Sequence, residues 1–256
     1  MRIATWNVNS VRAREARLLA WLAAKQPDVL CLQELKCLDD GFPHEAVRAL
    51  GYHALVYGQK TYNGVAILSR VPPEAEERGF GDGDADPQAR FLGARIGGIR
   101  VFSAYFPNGG ELGSEKWAYK LAWMARLRAF LGRACRPDEP VALCGDFNVA
   151  PEERDVRNPD AWKDTVLFHP DARAALQQVA EFGLVDAFRR VRPEDGLYSW
   201  WDYRMLGFPK NDGLRIDHVY VTAPLVPRVT AAEIDRNERK GKQPSDHAPV
   251  IVEIAD

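Results

Sequence analysis

Two hydrophobic patterns alternate along the chain. Short, nearly unbroken apolar runs read as strands, and stretches with apolar residues three and four apart read as helices. Residues 2–7 and 28–33 are runs of the first kind, and the second of them is expected to be buried on both faces. Between them Leu18, Trp21 and Leu22 fall at helical spacing. A helix is therefore predicted over 13–25, opened by the polar turn Asn7-Val8-Asn9-Ser10 and followed by Pro27. Residues 42–50 predict a short helix closed by Gly51. Strands are predicted at 53–57 and 65–69, joined by a loop with Asn63-Gly64. Residues 79–87, rich in Gly and Asp, read as loop, and 91–96 with 100–106 as a hairpin around Gly97-Gly98. The longest helix is predicted over 114–132, with Trp117, Leu121, Met124, Leu127 and Leu131 on one face. A strand at 141–145 follows, then a polar stretch at 152–170 and a helix at 172–182 ended by Gly183. Strands at 198–203, 215–222, 229–234 and 249–254 complete the chain.

No linker, repeat or low-complexity run interrupts this order, so residues 1–256 are expected to form a single domain. The pattern predicts an α/β (α+β) chain in which two sheets pack on each other with helices outside. Composition adds limits. Hydrophobic residues make up 46% and charged residues 27%, ordinary for a soluble globular protein. The 34 Lys and Arg stand against 36 Asp and Glu, so no basic excess announces a polyanion partner. Contact with one needs a local basic face or metal ions. Cys31, Cys37, Cys135 and Cys144 show no C-x-x-C spacing and read as reduced and buried. With neither a signal peptide nor a membrane-length apolar run, a cytoplasmic protein without membrane contact is expected.

The chemistry gathers at strand ends. Asn7, Glu34, Tyr105, Asp146 with Asn148, Asp217, and Asp246 with His247 each sit beside or within a predicted strand. Alternation lets Asp146 and Asn148 point at one target. Each residue alone has an ordinary reading: Asn7 a helix cap, Glu34 a solvated end, Tyr105 a rim aromatic, His247 a surface histidine. Such a set is poorly explained as accident, because ligand and catalytic groups cluster where loops meet strand ends.

Five motifs occur in order: Trp6-Asn7-Val8-Asn9, Leu32-Gln33-Glu34-Leu35-Lys36, Gly145-Asp146-Phe147-Asn148, Gly213-Leu214-Arg215-Ile216-Asp217 and Ser245-Asp246-His247-Ala248-Pro249. With Tyr105-Phe106-Pro107 and Trp201-Asp202-Tyr203-Arg204 they resemble the exonuclease III family of DNA-repair nucleases, across essentially the whole chain. The resemblance implies a four-layer αββα sandwich and Mg²⁺- or Mn²⁺-dependent hydrolysis of DNA phosphoesters. The implied activities are 3′–5′ exonuclease, 3′-phosphatase and incision 5′ to abasic sites. The implied partner is double-stranded DNA with 3′ ends, 3′-blocking groups or abasic sites, met by a monomer. It assigns Glu34 as the main metal carboxylate with Asn7 beside it and Asp246 as a further ligand, while Asp146, Asn148 and His247 border the metal. Asp146 would orient or deprotonate water, and Asn148 would hydrogen-bond the phosphate. His247, oriented by Asp217, would contact the same phosphate, and Tyr105 would support it. Lys36, Lys60, Arg90, Asn108, Lys116, Lys120 and Arg204 would meet DNA, and Trp200, Trp201 and Leu214 would line a pocket for a base-free sugar. Asn9 and Asn108 depart from the family's Asp and Gln, and Leu167, Phe168 and His169 are bulky where that pocket is expected. A hydrolase of inositol or lipid phosphates on the same scaffold is the competing reading.

Overall fold

The computed structural model describes residues 1–84 and 86–256. Among them the strands are β1 (Arg2–Asn7), β2 (Val29–Gln33), β3 (His53–Tyr57), β4 (Val65–Ser69), β5 (Glu74–Arg78), β6 (Phe91–Ile96), β7 (Ile99–Tyr105), β8 (Val141–Asp146), β9 (Leu184–Asp186), β10 (Asp217–Thr222), β11 (Val229–Ile234) and β12 (Val250–Ile254). The helices are α1 (Val11–Lys25), α2 (His44–Ala49), α3 (Glu115–Ala134), α4 (Pro159–Trp162), α5 (Pro170–Ala180), α6 (Ala187–Val191) and α7 (Gly207–Lys210).

One sheet has the order β11-β12-β1-β2-β4-β3 and the other β5-β6-β7-β8-β10-β9. Each carries a single parallel pair at its centre, β1 with β2 and β7 with β8, and is antiparallel elsewhere. A parallel pair needs a crossover. α1 supplies it in the first sheet and α3 in the second. Leu18, Trp21 and Leu22 of α1 bury against Ala4, Trp6, Leu30 and Leu32 on one outer face. Trp123, Met124, Leu127 and Leu131 of α3 and Leu176 of α5 bury against Phe102, Val141 and Leu143 on the other. The result is the expected four-layer sandwich.

The inner faces explain where the chemistry lies. Along each central strand, alternate residues face the partner sheet. They run Ile3, Thr5, Asn7 in β1; Cys31, Gln33 in β2; Val101, Ser103, Tyr105 in β7; and Ala142, Cys144, Asp146 in β8. Ile3, Cys31, Val101, Ala142 and Cys144 share one apolar cluster. One step further on, Gln33 joins the sheets, with Nε2 donating to Ser103 Oγ at 3.2 Å while Oε1 accepts from Thr5 Oγ1 at 3.2 Å. The last step places Asn7, Tyr105 and Asp146 at the strand ends. The four cysteines are buried and unpaired.

Several elements differ from the sequence reading. Residues 198–203 form no strand; Trp200 makes only single bridges to Leu214 and His247. β10 starts at Asp217 rather than 215, because the backbone N–H groups of Arg215 and Ile216 turn to Asp155 O and Ser199 Oγ. β5 is an edge strand of Glu74, Ala75, Glu76, Glu77 and Arg78, without apolar alternation to betray it; charge is what sheet edges favour. α5 begins at Pro170, where His169 Nδ1 accepts from Asp171 N.

Beneath β10 lies a buried ionic network. Asp155 accepts from the Arg189 and Arg215 guanidinium groups, and Arg215 also donates to Asp186 Oδ2 at 2.7 Å. Burial works against the Asp155 carboxylate, but the two arginines outweigh it and lower its pKa to about 2. His218, wholly buried next to Arg215, is pushed down to about 4 by burial and then by that positive charge. The folded state keeps this ring neutral where the unfolded chain protonates. Stability is therefore intact above pH 6.5 and lost as pH falls toward 4, by roughly 3 kcal/mol. Urea denaturation of the metal-free protein between pH 7 and 4 checks this: His218→Gln is expected to remove that part of the slope, and an unchanged slope refutes it.

Candidate active site

The functional side chains arrive from both sheets at the carboxyl ends of the parallel pairs. Asn7 ends β1, Glu34 follows β2, Tyr105 ends β7 and Asp146 ends β8. β10 runs antiparallel to β8, so its first residue, Asp217, lies opposite Asp146. Asp246 and His247 precede β12, which runs antiparallel to β1.

Asn7 ties the halves together, with Nδ2 donating to Glu34 Oε1 at 2.8 Å and to Asp146 Oδ2 at 2.9 Å. The Tyr105 hydroxyl donates to Glu34 Oε1 at 2.9 Å. His247 Nδ1 donates to Asp217 Oδ2 at 2.8 Å, and Ser199 Oγ fixes the same carboxylate at 2.7 Å. His247 Nε2 then faces Asp146 Oδ2 at 3.8 Å. The Asn148 backbone N–H donates to Asp146 Oδ1 at 2.9 Å, while its Nδ2 reaches Asp146 Oδ2 at 3.2 Å and Phe106 O at 3.0 Å. Asn108 Nδ2 donates to Asn148 Oδ1 at 3.1 Å. Asp246 is bound on both oxygens, by Asn9 Nδ2 at 2.9 Å and Trp200 Nε1 at 3.0 Å.

The backbone around this cluster is strained. Asn9, Ser10, Glu34, Lys36 and Asn148 all have positive φ, between 45° and 86°. Left-handed backbone at a non-glycine residue costs on the order of 1 kcal/mol or more. Gly145 is required for a different reason. A Cβ there would lie 1.8 Å from Ala104 O, so only glycine lets β8 pair with β7 at this point.

Electrostatics sort the groups into roles. Burial pushes Asp146 up to about 7; His247 opposes that rise and Asp217 adds to it. Burial also works against charge on His247, but Asp217 and Asp146 prevail and raise it to about 10, so the ring is an imidazolium near neutral pH. Burial would raise Glu34 too, yet Lys36 and Asn7 hold it below the usual range. Asp246 is lowered in spite of its burial, chiefly by His247. Burial and then Glu34 raise Tyr105, keeping its hydroxyl a donor.

Glu34, Asp146 and His247 each offer one atom to a cluster whose atoms lie within 4.8 Å of one another. Burial is what raises the Asp146 carboxylate to about 7, and a cation beside it would offset that cost. The carboxylate oxygens of Glu34 and Asp146 suit a hard divalent cation, while His247, held as an imidazolium, borders it as a donor. Asn7 presents its nitrogen to the carboxylates while its Oδ1 accepts from Asn9 N, so it bridges them instead of offering an oxygen. Asp246 lies outside this cluster.

The sites expected to meet DNA divide. Lys60, Lys116 and Arg204 are exposed, and Arg204 is paired with Asp202. Arg90, half-buried, lies 4.7 Å over the Tyr105 ring. With Asn108 and Lys116 it lines a groove of about 540 Å³ that reaches Tyr105 and includes the exposed Tyr62. Lys36 serves the site itself, contacting Glu34 Oε2 at 2.9 Å and Asn9 Oδ1 at 2.6 Å. Lys120 is a correction: it is wholly buried, and Nζ donates to the carbonyls of Asn108, Asn148 and Val166. Its place on the apolar face of α3 leaves it no route to a phosphate. Trp201 is a second correction, fully buried against Phe208 with Nε1 donating to Asn211 Oδ1. Leu214 is likewise fully buried. Trp200 is half-buried and has Trp162 edge-on at 5.9 Å. Leu167 and Phe168 are buried in the outer core rather than standing free. Ser199 was missed as a support for Asp217, since a serine in a loop carries no such signal until its partner is placed, and Asn9, expected from its motif position, supports Asp246.

A model of the Endonuclease/Exonuclease/phosphatase family matches residues 4–247. The chain belongs to that family. Within it, exodeoxyribonuclease III of Haemophilus influenzae is 37% identical over 99% of this chain and 100% of its own length. An AP endonuclease from Archaeoglobus fulgidus superposes with a TM-score of 0.96 at 38% identity, covering 99% of both chains. The 3′–5′ exonuclease NExo from Neisseria meningitidis superposes at 0.95 and 39%, over the whole of both chains. The exonuclease III type expected from the motifs is thus the type of its relatives.

Gly145→Ala tests how tightly the Asp146 strand is seated in this member of the family. The added methyl forces β8 off Ala104, so a loss of about 3 kcal/mol or more is expected from chemical denaturation. Stability within error of the parent would contradict the steric account.

Proposed function

We propose that this chain is a divalent-metal-dependent DNA-repair phosphodiesterase that works on 3′ termini of duplex DNA. The convergence of Glu34, Asp146 and His247 within 4.8 Å, at the meeting of the two sheets, carries this reading. A phosphoester is anionic and resists attack, so it needs an activated water and stabilisation of developing charge. Glu34 and Asp146 would hold Mg²⁺ or Mn²⁺, which supplies Lewis-acid stabilisation when bound. Asp146, buried and facing His247 Nε2, orients the attacking water and accepts its proton. His247, held by Asp217, turns its charged Nε2 toward the phosphate. Asn148, fixed on the Asp146 turn, aligns its carboxamide with the same phosphate. Tyr105 donates beside Glu34 and steadies the leaving side.

Duplex DNA is the proposed substrate. The groove of Tyr62, Arg90, Asn108 and Lys116 supplies the local cationic, aromatic surface that the net charge of −2 lacks. Relatives are described as a 3′–5′ exonuclease and as a 3′ phosphatase bound to a product DNA hairpin, the latter 38% identical with a TM-score of 0.95 over the whole of both chains. That supports 3′-end processing here. Trp162 packs edge-on against Trp200, the aromatic expected to line a pocket for a base-free sugar, and on that contact we rank abasic incision below 3′-end work.

Asp146→Asn and Glu34→Ala are each expected to lower cleavage of a 3′-phosphorylated duplex by about 10³-fold or more, with unchanged circular dichroism. A chelator is expected to abolish cleavage and added Mg²⁺ to restore it. Gel assays of duplexes with a 3′-phosphate, a recessed 3′ end and an abasic analogue would read all three activities. Full activity of either variant, or cleavage in chelator, would sink the reading, as would faster hydrolysis of an inositol phosphate.

A further inference from the structure

The Asn148 turn is gripped from behind by side chains that do not enter the site. Asn148 has φ 50°, a conformation that the chain leaves unless something holds it. Asn148 O accepts from Lys120 Nζ at 2.7 Å, and Val149 O accepts from His218 Nε2 at 3.0 Å. Lys120 and His218 are both fully buried. His218 Nδ1 lies 2.9 Å from Arg215 Nη1. A guanidinium has only donors, so Nδ1 is the acceptor and the ring proton sits on Nε2, facing Val149 O. Arg215 is itself fixed by the buried Asp155 and the partly buried Asp186, so the tautomer is dictated by an ion-pair network behind the site.

β10 therefore acts on the site twice with consecutive residues. Asp217 faces inward and orients His247. His218 faces the other way, packs beside Phe147 with ring centroids 5.0 Å apart, and holds the next carbonyl of the Asp146–Asn148 turn.

We propose that His218, with its tautomer set by Arg215, is a positioning residue for phosphoester hydrolysis, clamping the Val149 carbonyl so that the Asn148 carboxamide stays aligned with the phosphate. This rests on the role given to Asn148 above. Cutting the clamp lets the turn relax from its left-handed conformation and swings Asn148 away, while DNA binding through the outer groove is untouched.

The test is steady-state hydrolysis of a 3′-phosphorylated duplex with Mg²⁺. His218→Asn keeps an acceptor near the Nδ1 position but loses the Nε2 donor. It is expected to lower kcat about tenfold or more with KM within about twofold. His218→Gln, which keeps a donor near the Nε2 position, is expected to recover kcat to within about threefold of the parent. His218→Leu fills the space without either bond and serves as the second variant should the asparagine form not fold. Each change is repeated in an Asn148→Ala background, where it is expected to have no further effect on kcat. Parental kcat in a folded His218→Asn or His218→Leu protein, no rescue by glutamine, or an undiminished effect in the Asn148→Ala background overturns the proposal. An inactive Asn148→Ala beside a fully active His218→Asn sinks the positioning alone. A fully active Asn148→Ala sinks the role of Asn148 itself, and the clamp with it.

Discussion

Negative charge packed where water is scarce is the constraint around which this molecule is built. Glu34, Asp146, Asp217 and Asp246 converge at the edge of a dry interface, with His247 and Lys36 as the nearby cations. Left alone, such a cluster would repel itself apart or take up protons. Each carboxylate instead has dedicated donors: Asn7, Tyr105 and Lys36 for Glu34; Asn7 and the Asn148 backbone for Asp146; His247 and Ser199 for Asp217; Asn9 and Trp200 for Asp246. Burial still raises Asp146 to about 7, which suits a group that must take a proton and give it up.

Strand alternation explains why the cluster can exist. The face that buries Ile3 and Cys31 carries Thr5 and Gln33 one step on, then Asn7 at the strand end. Apolar packing sets the spacing of the sheets, the Gln33–Ser103 contact marks the transition, and the chemistry comes last. Parallel pairs at both sheet centres point their carboxyl ends the same way, so one set of inward faces serves both packing and catalysis.

Much of this was legible in the chain. Helical spacing of Leu18, Trp21 and Leu22 located α1, and the apolar runs located most strands. The strand-end residues named the site because polar groups at such positions need a reason. What stayed hidden has physical causes. β5 is an edge strand with no buried residue, and β9 is an edge strand of three residues that buries only Leu184. Lys120 reads as a solvent-facing cation on α3, and only three carbonyls from separate loops reveal it as an internal strut. Trp200 and Trp201 are neighbours of one type, yet one donates to Asp246 and the other is sealed in a minor core. Backbone direction, which sequence does not display, separates them.

The Asn7 bridge between Glu34 and Asp146 spans the seam between the sheets. The first sheet supplies Asn7 and the second Tyr105, Asp146 and Asp217, so neither sheet alone carries the full set. Cutting power therefore appears at the moment of tertiary docking and not before. With the sheets apart, Glu34 and Asp146 lose their common donor and the cluster does not form. Assembly of the two sheets and assembly of the site are one event.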